Sequence, residues 1–229
     1  MKYKNEIEEV IKRLLPGSKQ AKSKSRKIKI YVNGLYGKLE NAEYALNKIK
    51  EITQDTIPTE ANMQEIDPKV HFYVDSFFAF LYSCFDVLAQ ILNQNYEDLR
   101  RLQLEEKEIS FTKILSTIKK KKLKLPINTD LENIILSKYF KNLAKYRNCS
   151  THRHQIYIKK EQNTIAETAG YTSTTGQLPV VQWIICDDPF TLDLKTETPS
   201  IKQKRDLYIF SDKMYKNIKG KIDNIVNIL

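Results

Sequence analysis

A chain of 229 residues with 41% hydrophobic and 29% charged residues has material for one sizeable core, and six glycines and seven prolines leave little for disordered linkers. A formal net charge of +10 makes a polyanion the first partner to consider, through neutralisation of phosphates and release of counterions. Cys84, Cys149 and Cys186 are odd in number and lack CxxC spacing, which argues against a disulfide framework or a paired-knuckle zinc ribbon and for a reducing cytoplasm.

The first fifteen residues are charged and amphipathic, unlike the apolar core of a secretion signal, and Ile7, Val10, Ile11 and Leu14 recur at helical spacing before Pro16-Gly17. Ten Lys or Arg against three Glu fall in the first thirty residues, concentrated at Lys19, Lys22, Lys24, Arg26, Lys27 and Lys29. That run reads equally as a solvated loop or as a polyanion contact. Leu35, Leu39, Ala42, Leu46 and Ile49 predict a second amphipathic helix ending before Pro58.

Asp67-Pro68 supplies a cap and a first-turn proline for a long central helix with Val74, Phe77, Phe78, Leu81, Phe85, Leu88 and Leu92 on one face. Asp75, Asp86 and Gln90 interrupt it, which argues for a buried core helix over a membrane span. Phe111, Ile114, Leu115 and Ile118 predict a short helix running into Lys119, Lys120, Lys121 and Lys122, stopped at Pro126. From Thr129-Asp130 one helix is expected to carry Ile135, Leu136, Tyr139, Phe140, Leu143 and Tyr146 on a single face. Beyond His154 the pattern alternates: IYIKK, a turn region between Gly170 and Gly176, then LPVVQWIIC, a β-hairpin at about residues 155–186. Leu207, Phe210, Met214, Ile218, Ile222, Ile225 and Leu229 return to helix. The fold class is mainly α, a helical bundle with a β-hairpin inserted before its last helix.

The chemistry-bearing stretch is Tyr146 to His154, YRNCSTHRH, which holds two of the three histidines. With Leu143 at the centre of the apolar face and about 100° per residue, Arg147 falls within that face. Asn148 and His152 lie about 40° apart on the opposite side if the helix continues past Cys149. A guanidinium interrupting a core stripe needs a carboxylate, a second subunit or a bound anion. The bland alternative is that Arg147 and His152 are basic groups favoured at a helix C-terminus, which explains a charge but not an arginine on the apolar face.

Arg147-Asn148-Cys149-Ser150-Thr151-His152, R-N-x-x-x-H, resembles the signature of HEPN domains, helical bundles many of which are metal-independent ribonucleases of toxin, abortive-infection and CRISPR systems. The resemblance covers roughly Asp67 to Leu229, so residues 67–229 are taken as the HEPN-like domain. Residues 1–66, matched to nothing, are taken as a helical extension packed on it. The resemblance implies an endoribonuclease in which His152 handles protons, Arg147 holds phosphate charge and Asn148 positions them. Products would carry 2′,3′-cyclic phosphate and 5′-hydroxyl ends. It also implies a homodimer that pairs two motifs, since one chain supplies one.

Asp75, Tyr82, Asp86 and Asn93 trace a polar stripe on the central helix, where HEPN proteins often carry a polar residue near the motif. Tyr82 and Asp86 are therefore candidate supporting groups, although a buried carboxylate satisfied by a neighbouring lysine or backbone explains Asp86 as well. His154 is a further supporting candidate or a strand-entry residue, and His71 a helix-start residue without chemistry. Lys119, Lys120, Lys121, Lys122, Lys145 and Arg153 are candidate RNA contacts, with a solvated face as the alternative for the lysine run. Tyrosines beside basic residues, as in Lys145-Tyr146-Arg147 and Tyr157-Ile158-Lys159, permit base stacking. Cys149, His152 and His154 spell C-x-x-H-x-H, yet the spacing is irregular for zinc, and no metal or cofactor is expected. Two other readings stay open: a non-catalytic HEPN domain that binds nucleic acid, a nucleotide or a partner protein, and an interaction module for an antitoxin or operon partner. No membrane association is expected.

Overall fold

The computed structural model describes residues 2–15, 22–54, 68–102, 106–152, 156–166, 177–190, 192–193 and 198–229. Its helices are α1 (Lys4–Leu14), α2 (Lys22–Gln54), α3 (Pro68–Asn95), α4 (Glu97–Arg100), α5 (Phe111–Lys121), α6 (Asn128–Leu136), α7 (Lys138–His152) and α8 (Leu207–Ile228), with a 3-10 turn at Glu106–Glu108. Between α7 and α8 lie β1 (Ile158–Ala166), β2 (Gln177–Ile185), β3 (Leu192–Asp193), β4 (Thr198–Pro199) and β5 (Arg205–Asp206). The protein is mainly helical, with the hairpin before the last helix, as the periodicity predicts. The Gly170–Gly176 turn, Asp67 and Lys19 lie outside the described residues.

Two expectations are corrected. The basic run from Lys22 to Lys29 is no loop but the opening turns of α2. Lysine and arginine are good helix formers, and Ile28 and Val32, both fully buried, extend the apolar register of Leu35 and Leu39 backwards. The single helix expected from Thr129 to the motif is two. Ser137 is extended, with φ −66° and ψ 141°, and its Oγ accepts from the Phe140 amide at 3.2 Å, so the hydroxyl caps a new helix. The break shifts the helical phase: Leu136, expected on the buried face, is 67% exposed, whereas Phe140, Leu143 and Tyr146 are buried.

The chain forms two compact units. The first takes Met1–Glu43, Phe78–Ala144 and Met214–Leu229. Its core is aromatic at the centre, where Phe85 meets Phe111 and Phe140 with ring centroids 4.9 Å away in each case, edge-on against Phe140. The α1 face of Ile7, Val10 and Leu14 is buried, and the Tyr3 and Tyr215 hydroxyls meet at 3.0 Å. Tyr3 also donates to Glu43 Oε2 at 3.0 Å, and burial pushes its phenol up to about 12.

The second unit takes Tyr44–Phe77 and Lys145–Lys213. Here β1 and β2 pair antiparallel from Ile158 opposite Ile185 to Ala166 opposite Gln177, and β5 joins the other edge of β2 through Ile184 and Asp206, giving the order β1-β2-β5. Ile156, Ile158, Trp183 and Ile185 are buried, and the Lys160 ammonium sits 4.5 Å from the Trp183 ring centre. The β3 and β4 strands form a separate two-stranded pair. Helix α3 is long and apolar enough to cross a membrane by length and composition. Val70, Val74, Phe77, Phe78, Leu81, Phe85, Leu88 and Leu92 along it are nonetheless 0% exposed within the protein, as befits a core helix.

Candidate functional site

Helix α7 does not stop at Cys149 but runs to His152, so Asn148 and His152 stand one turn apart on the same helix. Near its end Ser150 Oγ and Thr151 Oγ1 both donate back to the Arg147 carbonyl, at 3.2 and 2.8 Å. Arg147 is half-buried at the flank of a face whose centre holds Leu143, Tyr146 and Cys149, all at 0% exposure. Its Nη1 donates to Asn148 Oδ1 at 3.1 Å, which draws the guanidinium round to the exposed amide. Arg147 and Asn148 are therefore already coupled, with the His152 backbone one turn further on. Arg153 and His154 lie outside the described residues.

What fixes this end of α7 is the residue before the motif. The Tyr146 hydroxyl donates to the Cys186 carbonyl just past β2, and it accepts from Arg205 Nη1 at 3.3 Å. Burial holds its phenol well above the ordinary range, so it is a fixed donor at all working pH values. Arg205 also donates to the Asp187 carbonyl at 2.9 Å and to Gln203 Oε1 at 2.7 Å, and pairs with Asp187 Oδ1 at 3.4 Å, the two side chains being only 13% and 12% exposed. Its guanidinium carbon lies 5.2 Å from the centre of the Phe210 ring, which stacks edge-on to Tyr146 at 5.5 Å. A buried cation with this many acceptors is satisfied and structural.

Lys145, an expected RNA contact, forms an ion pair with Asp188. Burial alone would raise the Asp188 carboxyl, but the Lys145 ammonium and the Phe190 amide outweigh it and hold the group below the usual range. The first unit holds the remaining candidates. Lys119, Lys120 and Lys121 form the last turn of α5 and Lys122 its left-handed cap; all four are exposed, with Lys119 3.7 Å from Glu132. Tyr82 stacks on Phe140 at 6.1 Å. Asp86 Oδ1 accepts from the Phe111 amide at 3.4 Å, at the N-terminus of α5, where a carboxylate meets the positive end of the helix.

His71 reads from the sequence as a helix-start residue without chemistry. On α3 it is half-buried and hydrogen-bonds the main chain of Ile156, four residues past His152; burial pushes its imidazole below the ordinary value despite that bond. One turn along, burial raises the Asp75 carboxyl to about 6, and Asp75 Oδ1 lacks a hydrogen-bond partner among the described residues. The i, i+4 spacing of His71 and Asp75 on an apolar helix was the available signal. Cys149 and Cys186 are both buried, and burial pushes the Cys186 thiol up to about 12. Among the described residues, no group of three or more His, Cys, Asp and Glu could hold a metal ion.

A helical frame with a hairpin before its last helix, in which one helix closes on R-N-x-x-x-H, has the features of the HEPN superfamily. Within it the chain belongs to the Cthe2314-like HEPN family, whose model matches residues 30–183, more than half of the chain. The match takes in the motif and starts inside α2, well before the segment at Asp67 where the motif-based resemblance began. No curated protein and no solved structure gives a significant match.

Proposed function

We propose that the protein is a metal-independent endoribonuclease that cleaves RNA to 2′,3′-cyclic phosphate and 5′-hydroxyl ends. The observation that carries this reading is the continuation of α7 through His152 with Arg147 and Asn148 already hydrogen-bonded. Cleavage without a metal needs three things: removal of the 2′-hydroxyl proton, delivery of a proton to the leaving 5′-oxygen, and support for the charge gathering on phosphorus. Histidine is the side chain whose ordinary titration range lies near neutrality, and His152 serves the proton steps; Arg147 forks onto phosphate oxygens; Asn148 holds the guanidinium in place and orients the phosphate. One chain carries one motif, so the working enzyme is a homodimer with two motifs facing a common cleft. The net charge of +10 draws the polyanion to it. A cytoplasmic toxin or phage-defence role, with an antitoxin or operon partner that restrains the activity, fits such an enzyme.

The test is cleavage of a labelled RNA in EDTA, with product ends mapped by phosphatase and kinase treatment. His152→Ala and Arg147→Ala should each lose at least about a hundredfold in rate, the usual worth of an acid–base group, with circular dichroism unchanged. Undiminished cleavage by His152→Ala refutes the reading. The engagement of Arg147 with Asn148 also suits an anion clamp without catalysis; salt-dependent RNA retention that yields no new 5′-hydroxyl ends decides for that.

A further inference from the structure

The second unit contains a pocket of about 440 Å³ lined by Tyr157, Lys159, Thr198, Ser200, Lys202 and Lys204, with Pro199 and Ile201. We propose that it is a binding site for one nucleotide of the RNA strand, flanking the motif on α7; the assignment rests on RNA being the substrate proposed above. The volume lies in the range of pockets that hold small organic units. Its chemistry is that of a nucleotide: ammonium groups for a phosphate, the Ser200 hydroxyl oxygen to accept from a ribose hydroxyl, the Thr198 side chain beside it, and the Tyr157 ring for a base.

The charges are arranged, not scattered. Glu161 accepts from Lys159 Nζ at 3.0 Å and Lys204 Nζ at 2.9 Å, and those two bonds hold its carboxyl below the usual range. Three lysines are set against Glu161, and Asp187, the second carboxylate at the wall, is paired with Arg205, which leaves the pocket positive; Lys202 has no carboxylate partner among the described residues. Lys204 has φ 42°, a left-handed backbone that is uncommon for a residue other than glycine.

Position ties the pocket to the motif. Tyr157 follows His152 by five residues, so their Cα atoms lie at most about 18 Å apart, a gap that a few nucleotides bridge. The wall is also bonded to the end of α7. Tyr146 donates to the Cys186 carbonyl, the Cys186 amide donates to the Tyr157 carbonyl at 3.1 Å, and the Asp187 amide donates to the Ser200 carbonyl at 2.6 Å. Asp187 Oδ2 accepts from the Gln203 amide at 3.0 Å and from Ser200 Oγ at 3.4 Å. The end of α7 at Tyr146, the end of β2 and the 198–205 segment are thus joined by one chain of hydrogen bonds within the second unit. The rim is open, with the Lys159 and Lys204 side chains 45% and 62% exposed. A free small ligand is better served by near-complete enclosure, whereas one unit of a continuing strand needs open sides.

The experiment is fluorescence anisotropy with a labelled single-stranded RNA over a salt series, on the full chain carrying His152→Ala so that the probe survives. Lys202→Ala, a change at an exposed side chain, should flatten the slope of log affinity against log salt by about 0.7, one phosphate contact on a single strand. Tyr157→Leu should weaken binding about tenfold without changing that slope, because stacking releases no counterion. Parental affinity and slope in both variants overturn the pocket, as does competition by a mononucleotide as tight as the strand. His152-dependent cleavage by the otherwise unaltered protein, together with unchanged binding in the pocket variants, removes the pocket and leaves the ribonuclease standing. Pocket-dependent binding by a protein that never cuts does the reverse.

Discussion

Tyr146→Phe removes one oxygen from the centre of the second unit and leaves the ring in place. The ring remains edge-on to Phe210, so apolar packing is conserved and the effect isolates the hydroxyl. Three contacts go: the bond to the Cys186 carbonyl, a longer one to the Asp187 carbonyl at 3.4 Å, which Arg205 still meets, and the one from Arg205 Nη1. Arg205 keeps the Asp187 carbonyl and Gln203, so its loss is small. The Cys186 carbonyl stays buried and loses the donor that met it. A buried hydrogen bond contributes about 1 kcal/mol net, and stranding its acceptor adds about 1–2 kcal/mol, so the variant should be about 2–3 kcal/mol less stable. In a chain of this size that is a melting temperature lower by roughly 4–12 °C. Urea denaturation followed by far-UV circular dichroism measures it, read from the midpoint at constant slope. A loss under about 0.5 kcal/mol would refute the reasoning, because it would mean that water or a rearranged neighbour satisfies the carbonyl at no cost. The same variant should loosen the link between α7 and the Tyr157 pocket, and so weaken RNA binding without touching a residue of the R-N-x-x-x-H motif or of the pocket.

Asp75→Asn should be stabilising at pH 8 and neutral near pH 4. Burial raises the folded-state carboxyl to about 6 from an ordinary 3.8, so the folded protein binds the extra proton between those values and loses stability as pH rises through them. Above about pH 6 the ionised group imposes its full penalty, on the order of 1 kcal/mol once partial solvation is allowed for; a gain of equal size at both pH values, by urea titration, contradicts this account. Phe140→Ala opens a hole between Phe85 and Phe111 and should destabilise by about 3–5 kcal/mol, visible as a melting shift of roughly 10 °C or more; a shift of a degree or two would show that the cluster closes over the gap.

The sequence spoke clearly wherever structure is local. Leu35, Leu39, Ala42, Leu46 and Ile49 reveal a buried helix face because burial at a 3.6-residue period is a property of one segment, and each is almost wholly buried. The alternation on either side of the Gly170–Gly176 turn likewise gives the β1–β2 pairing. The break at Ser137 was hidden because the apolar run Ile134-Ile135-Leu136 continues a helical pattern across it, and a serine can sit inside a helix as well as cap one. The motif was legible for the same local reason: Arg147, Asn148 and His152 lie on one helix. Its support was not. Tyr146 meets Arg205 across 59 positions of sequence, and His71 reaches Ile156 from another helix, contacts that no spacing rule encodes.

The serine hinge between α6 and α7 bears on how this chain would tolerate a change of length. In one continuous rod, adding or deleting a residue ahead of the motif would swing every later side chain by about 100° and aim Arg147 elsewhere. Because the Ser137 hydroxyl restarts the winding at the Phe140 amide, the orientation of the signature is counted from Ser137 and not from Asn128. Insertions upstream of the hinge are therefore absorbed before they can rotate the chemistry, whereas a single residue added between Ser137 and Arg147 turns it away.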